Sequence, residues 1–357
     1  MRFEGTMKYF VLHLNAHQPR RFKKRSTLAT PYDDVLNQEA LAEDAATVYL
    51  PANDLLLRLL RSHDSLCISV SISGVLIELA RRFQPEVLAS FQELGRVASD
   101  TGRVEFVGTT YYHSLAGLFR DGNRDEMKAQ ADLHRELMNE ELGVRPSAFC
   151  HAEWMYSNAI GAAAAAVGFQ TVLCQGPSAN FAHADITTAG FAQHPGKRVG
   201  LLLRHGPVSA ALCTAGHGDV SAQAFLDDVR RQQERVVLAG IDYENWAGRH
   251  WDGTETAVFW EELATLLESA DDIAAATPTS VTEKASDSPI LTVDDHQPVS
   301  RTGGVTEWVG SPAQHELFFR YQDLENRLKT YGDANLLRIW RTLGAACHFY
   351  GMQGSEE

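Results

Sequence analysis

The sequence predicts a parallel α/β barrel followed by a small helical subdomain. Three observations carry that expectation. Short apolar runs, rich in β-branched residues, recur between residues 9 and 241, as buried parallel strands do. Amphipathic helical stretches separate them, which is the rhythm of βα units. That rhythm breaks after residue 273, and helical periodicity resumes alone near residue 311.

The strand candidates run in order through residues 9–14, 66–72, 103–107, 147–150, 171–174, 199–203, 209–213 and 235–241. Helices are expected at about 40–62, 75–100, 124–142, 157–167, 221–233 and 254–269. With seven or eight strands in this alternation, a closed barrel is expected over an open sheet. Residues 7–273 are therefore assigned to a catalytic barrel. Residues 274–304 are rich in Ser, Thr, Asp and Pro without helical period, and read as a linker or a lid loop. Residues 305–357 read as an α-helical subdomain that completes the cleft, with helical stretches at 311–332 and 335–350. No internal repeat is visible.

Composition narrows the function classes. The 357 residues are 44% hydrophobic, enough for a large core. With 32 basic against 46 acidic residues the formal charge is −14, which argues against a nucleic-acid partner. The one basic run, residues 20–25, is expected to be a solvated surface. The first residues lack the apolar region of a signal peptide, and Met7 is an alternative start. No apolar stretch of about 20 residues exists to cross a membrane. Five cysteines without a CxxC pair suggest a reduced, cytoplasmic protein.

Chemistry in such a barrel gathers at the C-terminal ends of the strands. Four strand ends deliver polar residues there: His17-Gln18-Pro19, Tyr111-Tyr112-His113, Glu153-Trp154 and Asp242-Tyr243-Glu244. A lone acidic residue at a strand end is usually a helix cap. The convergence of four polar sets on one face is what raises Glu153 and Asp242 above that. A second His-Gln-Pro, at residues 296–298, falls in the linker and is read as chance. Two carboxyl groups with aromatic neighbours suit glycoside hydrolysis, one as nucleophile and one as proton donor. Tyr111, Tyr112, Trp154, Trp246, Trp251 and Trp308 are the candidates to stack on sugar rings; Trp260 is assigned to packing.

These motifs resemble the five short regions of glycoside hydrolase family 57, in its α-amylase-like branch. His17-Gln18-Pro19 resembles the first region. Residues 102–108 (GRVEFVG), running on into 111–115 (YYHSL), resemble the second. Residues 149–153 (FCHAE), with Tyr156, Ser157 and Asn158 beyond, resemble the third, whose glutamate is the family nucleophile. Asp242-Tyr243-Glu244 resembles the fourth, whose aspartate is the general acid. Residues 306–310 (TEWVG) with Gln314 resemble the fifth. Residues 49–53, 71–74 and 348–352 also look like family sequence, so the likeness spans roughly 8–352.

The resemblance implies an incomplete (β/α)7 barrel with a helical subdomain, a retaining mechanism and α-1,4-glucan or maltooligosaccharide substrates. It implies no metal and no cofactor. Glu153 and Asp242 would be the catalytic pair, with a raised pKa required of Asp242. His17, Gln18, His113 and Glu244 would bind or line the sugar site. Three positions depart from the pattern: Asn15 stands for a histidine, His151-Ala152 for an asparagine-threonine pair, and residues 245–249 (NWAGR) for the usual sequence after the acid.

Three alternatives stand beside this reading. 4-α-Glucanotransfer or glucan branching would share the chemistry up to the covalent intermediate. A deacetylase-like or mannosidase-like zinc site would use His13, His17 and Asp242. Four residues along an extended strand span about 13 Å, so ligation by both histidines would need a sharp turn at Asn15. A glucan-binding homologue without efficient turnover is the non-enzymatic alternative.

Overall fold

In a computed structural model of the chain, the described residues are 7–25, 27–176, 189–194, 197–215, 220–247, 255–284, 288 and 290–352. The strands among them are β1 (Lys8–Ala16), β2 (Ile68–Ile72), β3 (Val104–Gly108), β4 (Ala148–Cys150), β5 (Thr171–Gln175), β6 (Ala189–His194), β7 (Lys197–Arg204), β8 (Val236–Asp242) and β9 (Ile273–Ala275). Seven of them, in the order β1-β2-β3-β4-β5-β7-β8, run parallel and close back onto β1.

β1 is the keystone because both of its edges are used. One edge pairs with β8 from Tyr9 to Asn15. The other is divided: β9 takes Lys8–Phe10 and β2 takes the upper half from His13 to Ala16. Closure between β7 and β8 is narrower, with Arg204 opposite Leu238. β6 folds back antiparallel on β7.

Strands buried on both faces must be apolar almost throughout, and β1 shows how polarity is then rationed. Phe10, Leu12 and Leu14 pack outward in the core shared with the helices. Val11, His13 and Asn15 alternate with them, and Val11 packs in the cluster that holds Leu173, Leu202 and Leu238. Along that alternate face the residues change from apolar to polar towards the C-terminal end.

Several expectations from sequence are corrected here. Residues 209–213 lie in the helix Gly206–Ala215, not in a strand. A short apolar run of alanine, leucine and cysteine is compatible with either state, and Ser209 Oγ bonds back to His205 O at 2.8 Å, one helical turn earlier. Residues 274–304 are not without secondary structure: they contain part of β9 and the helix Pro278–Lys284. The basic run is not wholly solvated either. Arg20 is buried, pairs with Glu78 at 3.1 Å and lies over the Tyr32 ring.

The C-terminal helices are Thr306–Val309, Pro312–Tyr331, Ala334–Leu343 and Ala346–Tyr350. They pack on the barrel through a second core that includes Trp308, Phe318, Tyr321 and Trp340. Ion pairs tie them to the barrel. Glu126, fully buried on the helix Asp125–Leu142, meets Arg341 at 2.6 Å and Lys329 at 2.8 Å. Glu78 meets Arg338 at 2.7 Å. Backbone bonds from Ala346 N to His113 O (2.8 Å) and from Leu115 N to Gly344 O (3.0 Å) bring these helices to the barrel rim.

Candidate active site

A cavity of about 500 Å³ opens at the C-terminal ends of the strands. His17 follows β1, His113 follows β3, Glu153 and Trp154 follow β4, and Asp242 with Glu244 comes from the end of β8; all line it. Arg301, Cys347 and Tyr350 line it from the C-terminal part of the chain.

The position of Asp242 follows from strand register. Asn15 is its partner across β1 and β8, and Ser71 is the partner of Asn15 across β1 and β2. Ser71 Oγ donates to Asn15 Oδ1 at 2.9 Å, which orients the amide so that Nδ2 donates to Asp242 Oδ1 at 2.9 Å. The Asp242 side chain is 38% exposed to the cavity mouth, yet the protein mass around it removes much of its hydration. That burial, with the negative charge of Glu153, raises its pKa; the Asn15 hydrogen bond and Arg301 oppose the rise. Because Oδ1 accepts the amide proton, a proton held by Asp242 belongs on Oδ2.

Glu153 sits in a single turn, Ala152–Trp154, directly after the short strand β4. It and Trp154 both have φ of 58°, a left-handed conformation that costs non-glycine residues of order 1–3 kcal/mol each. His113, at φ 51°, shares that strain. Surrounding contacts hold the turn. Trp154 lies edge-on to His13 and directly above Gly240, where an added Cβ would run into the indole. Glu153 Oε1 contacts His113 Nε2 at 3.2 Å, and Oε2 contacts Arg301 Nε at 2.9 Å. Burial alone would raise the Glu153 pKa; the His113 hydrogen bond and the attraction of His113 and Arg301 outweigh it, and the carboxyl is held below its ordinary value. The two carboxyl groups are therefore shifted in opposite directions.

The histidines divide into ligand-facing and structural ones. His17 stacks on His113 with ring centres 4.1 Å apart. Its Nδ1 contacts Ser73 Oγ at 2.8 Å, and burial, then the neighbouring His113, keeps it well below its usual pKa. His13 is enclosed instead, its ring nitrogens 3.1 Å from Ser69 and 3.2 Å from Ser71, and burial lowers its pKa to about 3. Serine hydroxyls thus contact both of its ring nitrogens. His151 Nε2 accepts the Gly117 N–H at 3.1 Å, so it braces the chain rather than offering a donor.

Not every residue singled out in the sequence reaches this cavity. Gln18 is buried beside Tyr49, whose hydroxyl is 3.5 Å from its Oε1. Tyr111 donates its hydroxyl to Glu78 at 2.8 Å and packs on Tyr112, and neither ring lines the site. Trp246 stacks on Trp260 inside the helix-side core, and Trp308 is fully buried among the C-terminal helices. Both are placed by hydrophobic packing, away from sugar contact. Trp251 lies outside the described residues. Residues that sequence reasoning missed are Asn15 as an Asp242 partner, Arg204, Arg301 and Cys347. Arg204 ends β7, so the strand-end rule could have found it. Arg301 follows a stretch without periodicity and carries no comparable signal.

Residues 1–294 match the sequence pattern of glycosyl hydrolase family 57. A protein of Methanocaldococcus jannaschii, provisionally named an alpha-amylase, is 25% identical over 334 residues, covering 89% of this chain and 69% of its own. The GH57-type branching enzyme of Pyrococcus horikoshii has a similar structure, with a TM-score of 0.74 at 15% identity, over 97% of this chain and 85% of its own. For the 4-alpha-glucanotransferase of Thermococcus litoralis the TM-score is 0.62 at 14% identity, over 94% of this chain. This chain spans about half of that enzyme, 49% of its length. At such identities the two structural matches speak for the barrel architecture. The sequence match extends over most of the chain and includes both carboxyl-bearing turns, and on that ground the chain belongs to glycosyl hydrolase family 57.

Proposed function

We propose that this protein cleaves α-1,4-glucans with retention of configuration, through a glycosyl ester on Glu153, with Asp242 as acid and then base. The observation that carries the reading is the pair itself: two carboxyl groups on one cavity whose environments push their proton affinities apart. A low-pKa carboxylate is available to attack, and a raised-pKa carboxyl is available to donate.

In the first step Glu153 attacks the anomeric carbon while the Asp242 Oδ2 proton goes to the leaving glycosidic oxygen. In the second, water attacks the anomeric carbon of the ester and gives its proton to Asp242, and Glu153 leaves as a carboxylate. Trp154 and the stacked His17–His113 pair supply the faces and donors for the sugar ring, and Glu244 lines the wall. The names borne by the related proteins support a glucan as substrate. Capture of the ester by a sugar hydroxyl instead of water would give transfer or branching from the same intermediate.

Incubation with maltoheptaose separates these outcomes: shorter sugars alone indicate hydrolysis, while longer and shorter products together indicate transfer. Iodine staining and debranching detect new α-1,6 bonds. Glu153→Gln is expected to abolish turnover with the fold intact. Normal turnover by that variant would remove the nucleophile from this scheme.

We also propose three functional parts: a catalytic barrel at 7–273, a linker or lid at 274–304, which carries Arg301, and a helical subdomain at 305–357 that completes the cleft. A reducing, cytoplasmic location is supported by five unpaired cysteines. No helix among the described residues is long and apolar enough to cross a membrane.

A further inference from the structure

Arg301 has no part in the two steps above, yet its head group touches both carboxyl groups. Nε is 2.9 Å from Glu153 Oε2, and Nη1 is 3.6 Å from Asp242 Oδ2. The backbone holds it there: Arg301 N donates to Glu153 O at 3.0 Å, and a pair of bonds of 3.0 and 2.9 Å joins Tyr156 to Val299. The segment carrying the arginine is thus laced along the turn carrying Glu153. Among the described residues, Arg204 also lines the cavity but is committed elsewhere, donating to Gly240 O at 2.9 Å and to Gln175 Oε1 at 3.2 Å.

We propose that Arg301 is a further catalytic residue, a single counter-charge that passes from Glu153 to Asp242 as the ester forms and returns as it breaks. The proposal rests on the roles assigned above to the two carboxyl groups. In the resting site the anion is Glu153, and Asp242 holds a proton. When Glu153 bonds to the anomeric carbon, the electron pair of the broken C–O bond goes to the leaving oxygen, which takes the Asp242 proton. Glu153 is now a neutral ester and Asp242 is the anion, already facing Nη1. Water then attacks, its proton returns to Asp242, and Glu153 departs as a carboxylate.

The Glu153–Asp242 pair carries one negative charge beside the Arg301 guanidinium at each stage, so the net charge of these three groups does not change along the reaction. In a cleft where burial makes an unpaired charge costly, that constancy removes a penalty from both barriers. The planar fork of arginine can face two carboxyl groups at once, whereas a lysine offers a point charge to one. Other titratable groups face the pair: His113 and His151 beside Glu153, Arg204, Cys150 and Cys213 towards Asp242, and Cys347 with Glu244 in the wall. Substitution of Arg301 leaves all of these in place.

The test compares Arg301→Met, Arg301→Gln and Arg301→Lys in the full-length protein. Carbon-13 carboxyl NMR, with Glu153→Gln and Asp242→Asn for assignment, reads the titrations without any substrate. In Met and Gln variants the Glu153 carboxyl should titrate about one pH unit higher or more. Both limbs of the kcat/KM profile on a maltooligosaccharide should move the same way, with kcat reduced at least about tenfold. The Lys variant, with a charge for one carboxyl group, should move the limbs less than the Met and Gln variants do. Azide attacks the ester without needing a base, so it should restore more turnover to Arg301→Met than it adds to wild type. A fall in kcat with unmoved titration and unmoved limbs would assign Arg301 a packing role and overturn the proposal. Normal turnover by Glu153→Gln would show a separate failure, that of the carboxyl roles themselves, and the shuttle would fall with them.

Discussion

Gly240→Ala tests how the position of Glu153 is enforced. A Cβ at Gly240 would meet Cη2 and Cζ2 of Trp154 far inside van der Waals contact. The strand cannot give way easily, because both backbone groups of this residue are tied. Gly240 N donates to Ser209 Oγ at 3.1 Å, and Gly240 O receives Arg204 Nε at 2.9 Å. The indole must move instead, and Trp154 adjoins Glu153 in the same left-handed turn. Overpacking of this kind costs about 1–3 kcal/mol, which for a chain of this size lowers the melting temperature by about 1–4 °C. Activity should suffer more, since a displacement of about 1 Å in a reacting group costs on the order of a hundredfold in rate. Calorimetry and maltooligosaccharide kinetics on Gly240→Ala, Trp154→Ala and the double variant form a thermodynamic cycle. In the Trp154→Ala background the stability cost of Gly240→Ala should disappear. An equal cost in both backgrounds would refute the contact as the cause, and wild-type kinetics in the single variant would refute the link to Glu153.

Three further outcomes are expected. Asn15→Ala removes a hydrogen bond that favours ionised Asp242, so the alkaline limb of kcat/KM should move up, with a rate loss of about tenfold, read from the pH profile. His134 is buried and neutral, receiving Thr109 N–H on Nδ1 at 3.4 Å and contacting Ile72 O through Nε2 at 2.8 Å; burial lowers its pKa to about 4. Its neutral form therefore supports folding above the unfolded value near 6.5, and that support, up to about 3 kcal/mol, is lost as pH falls towards 4; His134→Gln should flatten the dependence of melting temperature on pH in that window. Glu126→Leu leaves Arg341 and Lys329 without their buried partner and should destabilise by about 3–5 kcal/mol, measured by denaturant unfolding.

How much of this was legible in the sequence depends on whether local pattern or distant geometry places a residue. Asp242 follows an apolar run that is in fact β8, and Glu153 follows β4, so the strand-end argument put both on the rim where they stand. Register is not written locally. Asn15 looked like a departure at a histidine position, but its partner is set by the β1–β8 ladder 227 residues away. The helix at 206–215 was misread because its apolar stretch has no period long enough to separate helix from strand. Trp246 and Trp308 show the limit of residue type: an aromatic near a motif is equally fit for a core. Arg301 was invisible because the bonds between residues 153–156 and 299–301 leave no trace in composition.

The cleft described above is assembled from positions as far apart as Asn15 and Tyr350. A chain emerging from the ribosome would therefore have both carboxyl groups and most of the barrel outside before Arg301, Cys347 and Tyr350 appear. Until then Glu153 would have neither its arginine partner nor its outer wall. The cavity would take its final shape only once this last part of the chain has folded onto the barrel.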